Sequence, residues 1–385
     1  MTGPAPRREG PVEVAPEPVP GAARTVVVKI GSSSITTSDA GVDPVAIDRL
    51  CAQVAELRAM GHSVVLVSSG AIAAGWSALG GGVRPTDPAT LQAVSAVGQS
   101  KLMRVYDDAF EARAVAVGQV LLAPLDFIHR QQYLHARQTL SRLLELGVVP
   151  VVNENDATSD DEIRFGDNDR LAALVAHLVA ADLLVLLTDT AGLLTADPRT
   201  STEASLIEEV VEVDHELELV AGGAGSAVGS GGMASKLAAA KIAAWSGVET
   251  VIADAGRPGV LRGAVGGEPG VGTVFRPRGR LLPARKLWIA FAVAAAGTLV
   301  VDEGARLALL EREASLLPAG VVSVSGGFDA DDAVEIAGPD GVVFAKGLVR
   351  HPAHLVASWA GRRTTELPDG AAPEVVHRDD LVVLG

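Results

Sequence analysis

The chain has 385 residues, which is enough for two or three domains with full-sized cores. Its 47 acidic residues exceed its 32 basic ones, and the net charge of −15 repels polyanions, so we do not expect a general binder of nucleic acid or anionic membranes. A hydrophobic content of 48% excludes wholesale disorder, and the single cysteine, Cys51, excludes an internal disulfide framework and a cysteine-rich zinc site.

Two segments bear on targeting and on membrane insertion. Residues 1–23 are rich in proline and have no apolar core of the kind that a secretory signal needs, so we predict a disordered tail. The longest uncharged run, residues 287–301, is shorter than the ~20 residues that span a bilayer. We interpret this run as a buried strand followed by a turn at Gly297. The sequence therefore predicts a cytoplasmic protein that is not embedded in a membrane.

Short apolar runs alternate with helical patterns over residues 24–275. Asp43 followed by Pro44 marks a helix start, and Gly61 marks the end of that helix. The predicted strands are 25–30, 63–70, 114–122, 148–156, 182–193 and 249–255, and the predicted helices are 43–60, 71–76, 86–112, 129–146, 171–180 and 233–245. Because the strands are apolar throughout rather than alternating, we predict a three-layer αβα sandwich with a mainly parallel central sheet.

Polar residues follow several of these strands directly. In parallel α/β folds, ligands bind beyond the carboxyl ends of the strands, so chemistry is expected there. The residues concerned are Lys29, Gly31 and Ser32, then Ser68 and Ser69, then Asn153, Asn155 and Asp156, and finally Thr188 and Asp189. The sequence thus predicts a ligand site along one edge of the sheet.

The pattern changes at residues 276–286, a linker rich in proline and arginine. Residues 287–385 carry short strand patterns separated by turn signals such as Gly326-Gly327 and Pro339-Asp340-Gly341. We therefore predict two domains, with residues 24–275 as the first and a small, mainly β barrel over residues 287–385 as the second.

Lys29 and the glycine-rich segment 229–236 both suit contact with phosphate. Glycines at a helix start let backbone N–H groups approach phosphate oxygens, although this segment is not a P-loop because Ser235 precedes Lys236. Two lysines on opposite sides of a cleft would neutralise the charge of a phosphoryl group in transfer. The alternatives are a strand-end lysine that reaches solvent and a loop that is merely flexible.

Two polar clusters, residues 153–156 and 166–169, combine amides with carboxylates. A carboxylate can hold an ammonium group and amides can hold a carboxylate, so the set suits an amino acid; the alternative is two turns. The pair Thr188-Asp189 suits either a capped turn or a nucleotide contact. The histidines show no metal-ligand spacing, so we expect no metal held directly by protein side chains.

Seven motifs resemble, in order, those of the glutamate 5-kinases of the amino acid kinase family. They are VVVKIGSSS, VVLVSSGAIAAG, AVGQSKLM, VPVVNENDA, FGDNDRLAALVA, LLTDTAGLLTADPR and GSGGMASKLAAAKIA. Towards the C-terminus, VDEGARLALLEREASLLPAGV, GGF and VVHRDDLVVL resemble the PUA domain appended to these enzymes. The resemblance runs from Thr25 to the C-terminus. It implies ATP-dependent, Mg²⁺-assisted phosphorylation of the γ-carboxylate of L-glutamate, the first step of proline biosynthesis.

The resemblance also implies roles for individual residues. Lys29 and Lys236 match the lysines that flank the transferred phosphoryl group, and Asp169 matches the carboxylate that orients them. The residues matched to the glutamate contacts are Ser69, Asn153, Asp156, Asp167 and Asn168. The residues matched to the ATP contacts are Lys29, Gly31, Ser32, Thr188, Asp189, Ser230, Gly231, Gly232, Met233, Ala234, Ser235 and Lys236. No general base is needed, because the carboxylate of glutamate is already ionised at neutral pH.

The same resemblance implies feedback inhibition by proline, a homo-oligomer (dimer or tetramer) and γ-glutamyl phosphate reductase as the partner that receives a labile acyl phosphate. One alternative is a kinase of the same fold that acts on N-acetylglutamate, aspartate, carbamate or UMP, although Asp156 favours a free α-ammonium group. A second is an RNA-binding protein, since PUA domains often contact RNA. Residues 283–385 hold nine basic and fourteen acidic residues, which disfavours phosphate contact.

Overall fold

A computed structural model of the chain describes residues 22–37, 41–158, 168–196, 204–213, 217, 232–278, 282–368, 370 and 372–384. Residues 1–21 of the predicted tail lie outside this described part. Within it the chain divides into two compact units, one formed by residues 22–122, 135–158 and 168–278 and the other by residues 123–134 and 282–384, with the gaps just given. Among the described residues, no helix combines the length and the apolar character needed to cross a membrane.

The first unit is built on an eight-stranded sheet. Its strands are β1 (Thr25–Ile30), β2 (Ser63–Ser68), β3 (Val117–Leu122), β4 (Val149–Glu154), β5 (Leu183–Thr188), β6 (Glu209–Val210), β7 (Glu249–Asp254) and β8 (Thr273–Phe275). They lie in the order β3-β4-β2-β1-β5-β7-β8-β6, and all neighbours run parallel except β7 and β8. The mainly parallel sheet predicted from the apolar strands is confirmed.

Helices cover both faces of this sheet. They are α1 (Pro44–Ala59), α2 (Ala71–Ala78), α3 (Pro88–Glu111), α5 (Arg130–Glu145, which begins in the second unit), α6 (Asn168–Leu178), α7 (Met233–Trp245) and α8 (Val260–Gly266), while the short α4 (Leu125–Ile128) belongs to the second unit. Val26, Val28 and Ile30 of β1 pack into one core with α1, α3 and α8. Because side chains alternate along a strand, Lys29 faces the opposite side, where α6 and α7 lie.

Local sequence signals explain how the helices next to the site begin. Asp43 caps α1 by accepting hydrogen bonds from the N–H groups of Val45 and Ala46, with Pro44 as the first helical residue. Between β2 and α2, Gly70 has a φ of 102°, a conformation that favours glycine. That tight turn leaves Ser69 at the end of β2, beside the end of β1.

Two glycines allow α2 and α3 to touch backbone to backbone. A Cβ atom on Gly98 would lie 1.7 Å from the carbonyl oxygen of Ala71, and one on Gly75 would lie 1.9 Å from that of Val94. No larger residue fits at either position without moving a helix. The separation of α2 and α3 is therefore fixed by the absence of two side chains.

The second unit is built on a five-stranded sheet. Its strands are β9 (Gly297–Val301), β10 (Val321–Gly326), β11 (Ala333–Ala337), β12 (Val343–Val349) and β13 (Val376–Val383), in the order β10-β9-β11-β12-β13, and its helices after α4 are α9 (Ala284–Leu287), α10 (Glu303–Arg312) and α11 (Ala353–Trp359). Only β9 and β11 pair in parallel among these neighbours. A mainly β second unit, as predicted, is confirmed.

Two predicted features of this unit are wrong. The segment 287–293, expected to be a strand, is helical: α9 is followed directly by a π-helical stretch, Trp288–Ala292. A short apolar run has the same appearance in a buried helix as in a buried strand, and Leu287 and Ile289 are both fully buried. The predicted turn at Gly297 is also wrong, because Gly297 begins β9. A Cβ there would lie 2.4 Å from the carbonyl oxygen of Ser325, so glycine permits close strand pairing.

Candidate active site

Four predicted site residues lie where adjacent parallel strands of the first unit end. Lys29 is the penultimate residue of β1, Ser69 follows β2, Asn153 is the penultimate residue of β4, and Thr188 ends β5. The Ser69 N–H donates a hydrogen bond to the Ile30 carbonyl oxygen at 3.2 Å, which ties two of these ends together. The carboxyl edge of the sheet therefore collects the groups, as such folds require.

Asp169 lies at the centre of this arrangement, fully buried in the first turn of α6. Its Oδ1 is 2.6 Å from the Nζ of Lys29, and its Oδ2 is 3.1 Å from the Nζ of Lys236. The two lysines are only 2% and 4% exposed, and they come from different elements, β1 and α7. One carboxylate thus holds two ammonium groups in place.

The protonation state of Asp169 follows from these contacts. Burial alone would raise the pKa of its carboxyl group, but the charges of Lys29 and Lys236 and the hydrogen bonds from Lys29 and Ser235 outweigh burial. The pKa of Asp169 therefore lies below its ordinary value, and the carboxylate is ionised at neutral pH. Among the described residues, two buried ammonium groups share this one carboxylate. Lysine ammonium groups at the carboxyl edge of a parallel sheet suit contact with an anionic ligand such as phosphate.

Ser235 connects this cluster to the start of α7. Its Oγ lies 2.7 Å from Oδ2 of Asp169 and 2.9 Å from the carbonyl oxygen of Gly232, so its one proton is shared between two acceptors. The hydroxyl therefore links the orientation of the central carboxylate to the position of the glycine-rich segment.

A second network surrounds the side chain of Asn168, the first residue of α6. Its Nδ2 lies 2.7 Å from Oδ1 of Asn153, 3.0 Å from Oγ of Ser69 and 3.1 Å from the carbonyl oxygen of Ser68. Its Oδ1 is buried and has no hydrogen-bond partner among the described residues. An unsatisfied buried acceptor is unfavourable, so this atom favours a donor from a ligand.

Asp156 lies in the turn that follows β4, and its side chain is partly buried. Its Oδ2 accepts a hydrogen bond of 2.7 Å from the hydroxyl of Ser95, a residue of α3. The structure thus anchors this carboxylate to a neighbouring helix.

Two glycines leave room beside the lysines. A Cβ on Gly31 would lie 3.6 Å from Nζ of Lys29, and a Cβ on Gly232 would meet no described residue within 4 Å. Gly232 begins α7 without a side-chain cap among the described residues, so the first-turn amides of Met233 and Ala234 have no partner within the helix, while that of Ser235 donates to the Gly232 carbonyl oxygen at 3.2 Å. Such a helix start binds phosphate or carboxylate oxygens.

The remaining predicted contacts flank this region. Ser32 is exposed in a single 3₁₀ turn after β1. At the end of β5, the Thr188 hydroxyl donates to the exposed carboxylate of Asp189 at 3.2 Å. Three predicted residues, Asp167, Ser230 and Gly231, lie outside the described residues.

Comparison with known proteins assigns both parts of the chain. Residues 24–254 match the amino acid kinase family, and residues 297–381 match the PUA domain. The first match alone covers more than half of the chain. The chain belongs to the amino acid kinase family.

Curated relatives extend this assignment to nearly the whole length of the chain. It is 51% identical over 370 residues to the glutamate 5-kinase of Frankia casuarinae, a match that covers 94% of this chain and 97% of that protein. It is 47% identical over 365 residues to the glutamate 5-kinase of Geobacter sp. strain M21, covering 94% and 98% respectively. Among solved structures, the carbamate kinase from Giardia lamblia bound to AMP-PNP is 17% identical, with a TM-score of 0.49 and coverage of 67% of this chain and 99% of that one. The predicted membership of a kinase family and the predicted PUA domain are confirmed.

Sequence reasoning missed one residue of this family member's site, Ser95. Ser95 lies three turns before Tyr106 and therefore on the same buried face of α3, which also includes Leu102. A polar side chain on a buried face needs a polar partner, and this is the signal that could have identified it. The partner, Asp156, could not be named from the sequence because it lies 61 residues away on another element.

The described residues contain no group of three or more histidine, cysteine, aspartate or glutamate side chains that could hold a metal ion. The one cysteine, Cys51, is fully buried in α1, and burial raises the pKa of its thiol to about 12. Neither feature adds a group to the site.

Proposed function

We propose that the protein transfers the γ-phosphoryl group of ATP to the side-chain carboxylate of L-glutamate, giving ADP and γ-glutamyl phosphate. The observation that carries this proposal is the buried Lys29–Asp169–Lys236 cluster next to the amides of Asn153 and Asn168. The activity named for relatives that are 47–51% identical over most of the chain supports it.

The reaction breaks the bond between the γ-phosphorus and its bridging oxygen and forms a bond from phosphorus to a carboxylate oxygen of glutamate. No proton has to be removed, because that carboxylate is ionised at neutral pH. Catalysis then requires positioning and neutralisation of charge on the transferred group. Lys29 and Lys236 supply two ammonium groups from different elements, and Asp169 holds both at fixed positions.

The second network has the groups that recognise an amino acid. In this proposal the carboxylate of Asp156 pairs with the α-ammonium group, and Oδ1 of Asn168 gains the donor that it lacks among the described residues. Ser69 and Asn153 are proposed as further contacts of the substrate, and the resemblance adds Asp167, which lies outside the described residues. An N-acetylated substrate would gain nothing from Asp156, so free glutamate is the better fit.

The nucleotide is assigned to the glycines and the start of α7. The open space at Gly232 and the uncapped first turn of α7 fit the phosphates of ATP, and the same segment supplies Ser230, Gly231, Met233, Ala234, Ser235 and Lys236. Gly31 and Ser32 would approach from β1, and Thr188 and Asp189 from β5. Mg²⁺ is proposed to bind through the phosphate oxygens of ATP, as it commonly does in kinases, and would neutralise their charge.

The resemblance also leads us to propose an inhibitor, an oligomeric state, a cellular location, a partner enzyme and domain bounds. Proline carries an ammonium and a carboxylate group, as glutamate does, and is proposed as a feedback inhibitor that competes near the glutamate pocket. We also propose a homo-oligomer in the cytoplasm, and γ-glutamyl phosphate reductase as the partner, since an acyl phosphate hydrolyses readily. The proposed domains are residues 24–275, catalytic, and residues 287–385, PUA, joined by the linker 276–286.

The test is phosphorylation of L-glutamate with ATP and Mg²⁺, with the acyl phosphate trapped as its hydroxamate. N-acetylglutamate, aspartate, carbamate and UMP are assayed in parallel by ADP release. We expect turnover with free glutamate alone. Turnover of another of these substrates without glutamate would assign the lysines to a different kinase of this fold.

A further inference from the structure

Ser95 is one of two buried polar residues of α3, the other being Gln99. It lies on α3 and is only 1% exposed. It follows the buried Val94 and precedes Gly98, which contacts α2. A serine inside a helix usually hydrogen-bonds to the carbonyl one turn earlier or points to solvent. Ser95 instead donates to Oδ2 of Asp156 at 2.7 Å.

The two ends of this hydrogen bond differ in rigidity. Asp156 belongs to a turn after β4, and turns are more mobile than the helices and strands that they connect. The backbone of α3 at Ser95 is held against α2 by Gly75 and Gly98, which bring the two helices into backbone contact. The bond therefore transfers the fixed position of a helix to a carboxylate on a turn.

We infer that Ser95 is a positioning residue for Asp156, and that it thereby sets the affinity of the pocket for the α-ammonium group of the substrate. This inference rests on the proposed function of Asp156. Ser95 has no described contact with Lys29, Lys236 or Asp169. It affects substrate binding and leaves the phosphoryl transfer step unchanged.

The test compares Ser95→Ala with the wild-type protein. A hydrogen bond to a charged group is lost, so we expect KM for glutamate to rise about tenfold, with kcat and KM for ATP within about twofold. The matched control is Ser100→Ala on the same helix, because that exposed hydroxyl donates to the Val97 carbonyl and not to a site residue. We expect wild-type values from the control.

Glutarate, which is glutamate without its amino group, separates positioning from general damage to the pocket. If Ser95 acts through Asp156 on the ammonium group, the inhibition constant of glutarate is the same for Ser95→Ala and wild type. The inference would be overturned if the inhibition constant of glutarate rose as much as KM for glutamate does. An unchanged KM for glutamate in Ser95→Ala would also overturn it. In an Asp156→Asn background, Ser95→Ala should add less than a twofold effect.

Two further results keep the outcomes distinct. If Ser95→Ala does not fold, Ser95→Cys replaces it: its thiol is a weaker donor, and an unchanged KM for glutamate in that variant overturns the inference. A wild-type protein that does not phosphorylate glutamate would overturn the proposed function instead, before any variant is compared.

Discussion

Lys29 and Asp169 form a buried ion pair in which Nζ of the lysine and Oδ1 of the aspartate are 2.6 Å apart. Lys29 lies on β1, and Asp169 lies in the first turn of α6. The first turn of a helix stabilises a negative charge, because its N–H groups point outward without partners. The position of the lysine has a different cause. Side chains alternate between the two faces of a strand, and this alternation places the Lys29 side chain against the carboxylate. Each residue thus provides the condition under which the other can be charged and buried.

Replacing Asp169 with asparagine should abolish most of the activity and also weaken the fold. The change removes the carboxylate that Lys29 and Lys236 share, and breaking a buried pair in this way costs about 3–5 kcal/mol. We expect kcat to fall at least about 100-fold, since the two ammonium groups lose their common anchor. Hydroxamate assays and urea unfolding measure the two effects. A variant with wild-type kcat would contradict the assigned role of this carboxylate.

The stability that Asp169 provides should depend on pH in a defined direction. Its pKa is lower in the folded protein than in the unfolded chain, where aspartate has a pKa of about 3.9. The contribution is therefore complete above pH ~4 and is lost as the pH falls through the folded-state pKa. Urea unfolding of wild type and Asp169→Asn should show a difference in unfolding free energy that is constant from pH 8 to 6 and narrows towards pH 3. A difference that widens on acidification would refute the assignment.

Replacing Lys29 should lower activity strongly while reducing stability less than replacement of Asp169 does. In Lys29→Met the carboxylate of Asp169 keeps Lys236 as a partner, whereas Asp169→Asn takes the shared carboxylate away from both lysines. We expect Lys29→Met to lower kcat about 100- to 1000-fold while destabilising the protein less than Asp169→Asn does. Lys101→Met, at an exposed position of α3, is the matched control and should retain wild-type kcat. Equal loss of stability in Lys29→Met and Asp169→Asn would count against the charge argument.

Much of the fold was predictable because its signals are local. The run TVVVKI became β1 and the pattern MASKLAAAKIAAW became α7 with the expected bounds, since β-branched runs and helix starts depend on neighbouring residues. The strand predicted at 287–293 was wrong because residues 287–290 are all buried, and burial on every side removes the periodicity that distinguishes helix from strand. The short strands β6 and β8 carry too few residues to give a pattern at all.

The sequence predicts which residues lie at this edge of the sheet better than it predicts the contacts between them. Strand ends in a parallel sheet gather, so Lys29 and Asn153 could be placed at one edge from the sequence. The shared proton of Ser235 and the bond from Ser95 to Asp156 depend on how helices pack against that edge. Such contacts join distant parts of the chain, and no local pattern encodes them.

Gly98→Ala tests the close contact of α2 and α3. The new methyl carbon would lie 1.7 Å from the carbonyl oxygen of Ala71, so the helices must separate, at an expected loss of about 3 kcal/mol in unfolding free energy. Gly266→Ala makes the same change in α8, where a Cβ meets nothing within 4 Å, and should be neutral or slightly stabilising. Thermal and urea unfolding of both variants check this, and similar values for the two would disprove the contact.

Gly232→Ala tests the phosphate assignment with the fold held constant. Gly232 has a φ of −76° and a ψ of −178°, which alanine adopts without strain, and its Cβ would contact none of the described residues. We therefore expect a Tm within about 2 °C of wild type, which corresponds to a change in unfolding free energy well below about 1 kcal/mol. If phosphate oxygens approach the backbone at this point, the methyl group displaces them, and KM for ATP should rise about tenfold while KM for glutamate stays within twofold. Gly266→Ala again serves as control, and an unchanged KM for ATP in Gly232→Ala would place the phosphates elsewhere.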